Sequence, residues 1–226
     1  MRIPHALLYS VALLAFFLST SLPALATSAK VTPDLLSSME LHTEALVKKA
    51  LAKDGPACQH LYQQINIELD QLHYDSQTGS FDERRSRELI LAFSWIRVIN
   101  MDLQRQSWIG VAIGANQLSG SIFRFTQFSD VRKREIAWLD YLGREVMLLN
   151  MEDANANQDM LNVRLIELFA TWQLLKKELI RNFHNKSLVM KGDRLIGQLK
   201  KEDKPVQAIA LAKQLHDFIG DIKEAK

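Results

Sequence analysis

Residues that end a helix are scarce in this chain, and that scarcity is the tightest constraint on its fold. Its 226 residues hold only 9 Gly and 5 Pro. No run of alternating apolar and polar residues is bounded by turn dipeptides, so no strand is expected. Apolar residues instead recur at intervals of three and four along nearly the whole chain, the spacing of a helix with one buried face. The expectation is all-α: a single-domain bundle of six to eight helices over residues 27–226, after a cleaved leader over residues 1–26.

The few breakers place the elements. A first helix starts at Pro33 with Thr32 as its cap, turns Leu36, Met39, Leu46 and Val47 inward, and stops at Asp54-Gly55. Pro56 suits the first turn of the second helix, where its missing N–H is no loss. That helix carries Cys58, Leu61, Ile65, Leu69 and Leu72 on one face and gives way to a polar turn from His73 to Gly79. Ser80 with Glu83 reads as a capping box for a third helix running from about Asp82 past Leu103. Ser107 is placed as the cap of a fourth helix from Trp108, and Asp130 or Ser129 as the cap of a fifth. Asp153 to Asn157 is a polar connection to a long sixth. From Phe183 to Lys204 the chain is basic, and Gly192 and Gly197 weaken any helix there. Asp203-Lys204-Pro205 opens the last helix.

The N-terminus has the three-part layout of a secretory signal peptide: Arg2, an uncharged apolar run from Ala6 to Leu18, then Pro23 ahead of Ala24-Leu25-Ala26. Cleavage is expected after Ala26, with Ala29 as the second choice. The apolar run is too short to span a bilayer, so no stable membrane insertion is expected after cleavage. Removing residues 1–26 takes away Arg2 and no acid, leaving 27 Lys and Arg against 26 Asp and Glu. So balanced a chain gives no electrostatic case for nucleic acid. Cys58 is the only cysteine, so no disulfide closes within the chain. Export without cross-links points to a periplasm, where about 200 residues can bury a core unaided.

No assembled catalytic or metal-binding pattern is visible. The Glu-x-x-His pairs of a di-iron bundle, Cys-x-x-Cys-His and His-Glu-x-x-His are all missing, so no catalytic residue, metal or cofactor is assigned. Met39 with His42 could touch copper, but reads better as a core Met beside a surface His. Cys58 reads as a small buried hydrophobe.

One stretch carries a tension. Leu89 to Phe125 is the most apolar segment beyond the N-terminus, yet Arg97, Asn100, Asp102, Arg105, Asn116, Gln117 and Arg124 are set into it. Each such group, once buried, needs a partner. Gly110 and Gly114 lie four apart, a spacing that lets a neighbouring helix come close. Packing across that face would gather several polar groups in one cleft, with an arginine placed to hold a carboxylate or phosphate. The candidate ligand-binding set is therefore Arg97, Asn100, Arg105, Asn116, Gln117 and Arg124. The competing reading makes them structural, with Arg97 paired to Glu145 or Glu167. The function these features favour is a secreted, periplasmic binding protein for an envelope protein partner or a small anionic ligand. An enzyme acting on an anionic substrate around Arg97 and Asn116 is the alternative, and a structural component of an envelope assembly is the third.

Overall fold

The computed structural model describes residues 33–78, 82–183 and 186–224. The expected leader, its cleavage point and the caps at Thr32 and Ser80 lie outside them. The described residues form eight α-helices and no strand: α1 (Pro33–Leu51), α2 (Gly55–Thr78), α3 (Glu83–Gln104), α4 (Trp108–Phe125), α5 (Val131–Asp153), α6 (Gln158–Glu178), α7 (Lys186–Leu199) and α8 (Pro205–Glu224). A π-helical turn, Leu179–Phe183, ends α6. The all-α bundle read from the apolar spacing is therefore observed.

Local chemistry explains most of the boundaries. Asp82 caps α3 by accepting the Arg85 N–H at 2.8 Å, and Asp130 caps α5 by accepting the Arg132 N–H at 2.8 Å. Asp54 accepts the Ala57 N–H at 3.2 Å at the start of α2. The break between α3 and α4 is made by Gln106, whose φ is 55°. Ser107 takes the cap position there without a side-chain bond.

Two expectations are corrected. The polar segment after His73 is not a turn: α2 continues to Thr78, held by bonds one helical turn apart from Gln71 to Asp75 and between Gln77 and His73. The segment with Gly192 and Gly197 is a regular helix. Gly192 is there because the Trp172 indole lies where its Cβ would stand. Burying that ring, fully out of solvent, outweighs a helix-propensity loss of about 1 kcal/mol.

The helices close into two rings of four. In the first, α1 packs on α2 and α4, and α3 packs on α2 and α4; in the second, α5 packs on α6 and α8, and α7 packs on α6 and α8. Each ring encloses its own apolar core, the first around Met39, Leu46, Ile99 and Leu118, the second around Leu142, Trp172, Leu175 and Phe218. The close approach expected at Gly114 is present between α3 and α4, where an added Cβ would stand 2.8 Å from Ile99 Cγ1. The rings meet where α4 lies against α5. Helix α1 makes no close backbone approach to α5 or α8, and a groove remains between α1 and α8 with α5 as its floor.

Candidate functional site

The seam between the rings is where the buried polar groups collect. At its centre is Arg144 on α5, with only 7% of its side chain exposed. Its Nε donates to Asn116 Oδ1 of α4 at 2.9 Å, and Nη2 donates to Ser119 Oγ at 3.2 Å. Nη1 lies 3.0 Å from Glu44 Oε1 of α1 and 3.0 Å from Asp140 Oδ2, one turn back on α5. From α8, His216 Nδ1 meets Asp140 Oδ1 at 2.8 Å, and Lys223 Nζ meets Asp140 Oδ2 at 3.2 Å. One guanidinium and one carboxylate thus tie α1, α4, α5 and α8 together. Burial opposes ionisation of Asp140, but the His216 bond and the charges of Arg144 and Lys223 prevail and hold its carboxyl well below the usual range.

A second knot lies beside the first, offset by one residue along α5. Glu145 Oε1 accepts from Gln117 Nε2 at 3.2 Å and from Arg164 Nε of α6 at 2.9 Å. Tyr141 Oη donates to Gln117 Oε1 at 3.4 Å. Burial, with Glu145 close by, pushes the Tyr141 phenol up. Tyr141 also closes a stack that runs through Trp138 and Phe123 to Phe128, with successive centroids 4.6, 4.7 and 5.1 Å apart.

The structure divides the six residues singled out in the sequence. Asn116 and Gln117 come together at the seam, Asn116 on Arg144 and Gln117 on Glu145. Arg124 joins α4 to α3 through Glu88, Nε to Oε2 at 2.9 Å. Arg97 stands exposed on α3 and Arg105 exposed just past its end, while Asn100 is half-buried. The acids considered as partners of Arg97, Glu145 and Glu167, both bond Arg164 instead. Met39 is fully buried in the first core, and His42 is engaged by Glu68 at 3.0 Å. Cys58 is buried, and desolvation followed by the charge of Asp54 raises its thiol pKa. Among the described residues, no group of three or more His, Cys, Asp or Glu side chains is placed to hold a metal ion. No described helix is long and apolar enough to cross a membrane.

Sequence reasoning missed Arg144, Asp140 and Glu44. A signal was present: Asp140 and Arg144 are an acid and a base one turn apart within an otherwise apolar stretch, the spacing of an intrahelical pair.

The groove beside the seam opens into two cavities. The larger, about 1080 Å³, is lined by Leu36, Phe125, Phe128 and Ile136, with Arg85, Arg132, Lys133 and Lys223 as cations and Glu40, Glu44 and Asp130 as acids. Those acids do not cancel the cations. Glu44 is committed to Arg144 and Asp130 to capping α5. Burial, then the neighbouring Glu44, raises the Glu40 pKa, against Arg144 and Lys223. Arg85 stands over the Phe125 ring, 5.7 Å from its centroid, and its Nε is buried without a hydrogen-bond partner. The smaller cavity, about 300 Å³, lies on the far side of Glu44 and is lined by Val47, Met147, Arg144 and His216 among others. Compared with protein-family models, curated proteins and solved structures, the chain matches none.

Proposed function

We propose that this chain is a binding protein for a small amphipathic anion, held in the larger cavity between α1, the start of α5 and α8. The observation that carries the reading is the lining itself. Apolar walls from Leu36, Phe125, Phe128 and Ile136 stand beside Arg85 and Lys133, while Lys223 and Arg132 reach the same cavity already engaged by Asp140 and by the Ile222 carbonyl. A cavity of that size accepts a whole ligand with an apolar body, and a few convergent polar groups fix its charged end. Arg85 offers an unused donor there, and a guanidinium suits a carboxylate or phosphate. The N-terminal sequence supports a periplasmic setting for this binding.

Isothermal titration with decanoate, decanesulfonate, decanol and decyltrimethylammonium, each below its micellar concentration, tests the proposal. The two anions are expected to bind, the alcohol more weakly and the cation not at all. Arg85→Glu with Lys133→Glu should weaken decanoate by about tenfold or more, while Arg97→Glu on the exposed face of α3 leaves it unchanged. Equal binding of all four amphiphiles, or none of any, would overturn the reading.

A further inference from the structure

We infer that Glu40 is the group by which the groove recognises its ligand's headgroup, donating a carboxyl proton to a ligand carboxylate; this rests on the anion-binding reading above. Glu40 lines the larger cavity on the same face of α1 as Glu44, one turn away. Glu44 is spoken for by Arg144 at 3.0 Å, whereas Glu40, half-buried, lines the cavity with no side-chain partner of its own among the described residues. Two carboxylates one turn apart repel when both are ionised, so Glu44 raises the proton affinity of Glu40.

The charged surroundings come from every wall. Glu44 shares α1, while Asp140, Arg144, Arg132 and Lys133 rise from α5, with Asp130 just before it. Lys223 and His216 come from α8, and Arg85 comes from α3. Asp140 is held ionised by His216, Arg144 and Lys223, so it does not compete for the proton. Desolvation and Glu44 act on Glu40 in the direction of the protonated form, against Arg144 and Lys223. A protonated carboxyl offers one O–H donor. Facing a carboxylate, it makes a short charge-assisted bond, and Lys133 of the same cavity faces the ligand's second oxygen. A sulfonate of equal chain length is a far weaker proton acceptor and gains less from the same donor. The ligand class is therefore a carboxylic acid with an apolar body, bound as one carboxyl and one carboxylate sharing a proton.

Such a site takes up a proton on binding wherever free Glu40 is ionised. Decanoate affinity should then fall with rising pH, approaching about tenfold per unit above the Glu40 titration. Decanesulfonate should bind more weakly with a flatter profile. Titrations at pH 6 to 9, in buffers of different ionisation enthalpy, read the proton uptake on the unaltered protein. Glu40→Gln keeps a donor in place and should retain decanoate binding while removing the pH slope; His216→Gln tests whether the imidazole contributes to that slope. Decanoate binding without proton uptake, or with the same pH slope in the parent and Glu40→Gln, overturns the Glu40 assignment and leaves the anion site standing. Failure of both decanoate and decanesulfonate to bind overturns the anion site itself, and the assignment with it.

Discussion

Arg97 on α3 and Arg144 on α5 sit in similar sequence surroundings and come to opposite ends. Each lies just past the middle of a long helix, with apolar residues on either side in the chain. Arg97 points outward, next to Val98 and Met101, themselves 38% and 48% exposed. Arg144 is buried against Glu44, Asp140, Asn116 and Ser119. The neighbours one turn away explain the difference. Arg97 has Phe93 and Ser94 before it and Asn100 and Met101 after it, none of them an acid. Arg144 has Asp140 four residues back. An arginine that brings its own counter-charge on the same helix enters a low-dielectric seam already paired. One that lacks it stays in water, whatever the apolarity of the surrounding sequence.

Substitution at the two arginines should separate them most widely. Arg144→Met leaves Glu44 without its cation and Asp140 with only His216 and Lys223, and breaking a buried pair of this kind typically removes about 3–5 kcal/mol. Arg97→Met should change stability by no more than about 0.5 kcal/mol. Urea melts of both proteins measure the contrast. Similar losses in the two would mean that burial at the seam confers nothing special on Arg144.

Acid should cost stability at the seam, where cations hold a carboxylate ionised. The Asp140 carboxyl sits below its usual range, so its contribution is complete above the ordinary carboxylate range and is lost as pH falls through and beneath it. Asp140→Asn should be much less stable than the parent at pH 7 and equally so at pH 5, with the gap beginning to narrow only below about pH 4. Melts at pH 7, 5 and 3 follow it. A constant gap would assign the loss to packing instead of charge.

Packing effects come next in size. Gly114→Leu drives a side chain into Ile99, which a Cβ alone would approach to 2.8 Å, and overpacking of this sort costs about 1–3 kcal/mol. The two glycines of α7 give the smallest and most discriminating pair. At Gly197 nothing lies within 4 Å of the point a Cβ would occupy, so Gly197→Ala should add up to about 1 kcal/mol of stability. Gly192→Ala must displace the Trp172 indole and should destabilise. Thermal melts that moved both in the same direction would refute the explanation given for Gly192.

Much of the fold is legible in the sequence because its signals are local. Asp130, Pro205 and the break before Trp108 act within a turn of themselves, and each marks a boundary in the structure. Where the sequence misleads, a group outside the local pattern decides. Nothing near Gly192 in the chain announces Trp172, and the polar residues after His73 stay helical through bonds one turn apart along α2. Distance also hides the polar seam. Asn116 and Gln117 are conspicuous because they interrupt an apolar run, but the groups they meet, Arg144 and Glu145, lie 28 residues on. Glu44 is 100 residues from Arg144. Periodicity reports which face of a helix is buried; it carries no information about which face of another helix will meet it.

The contiguity of each ring along the chain has a kinetic consequence. Helices α1 to α4 contact one another before any residue of α5 is needed, and α5 to α8 do the same, so both rings assemble from neighbours in sequence and should close quickly. The slow step is then the search by which Arg144 finds Glu44 across 100 residues. Until it succeeds, Arg144 and Asp140 already hold each other within α5, which keeps an unpaired charge from being trapped in a half-built interior. Pulse-labelled hydrogen exchange during refolding would see the amides of α2 and α7 protected early and those lining the junction of α1, α5 and α8 protected last.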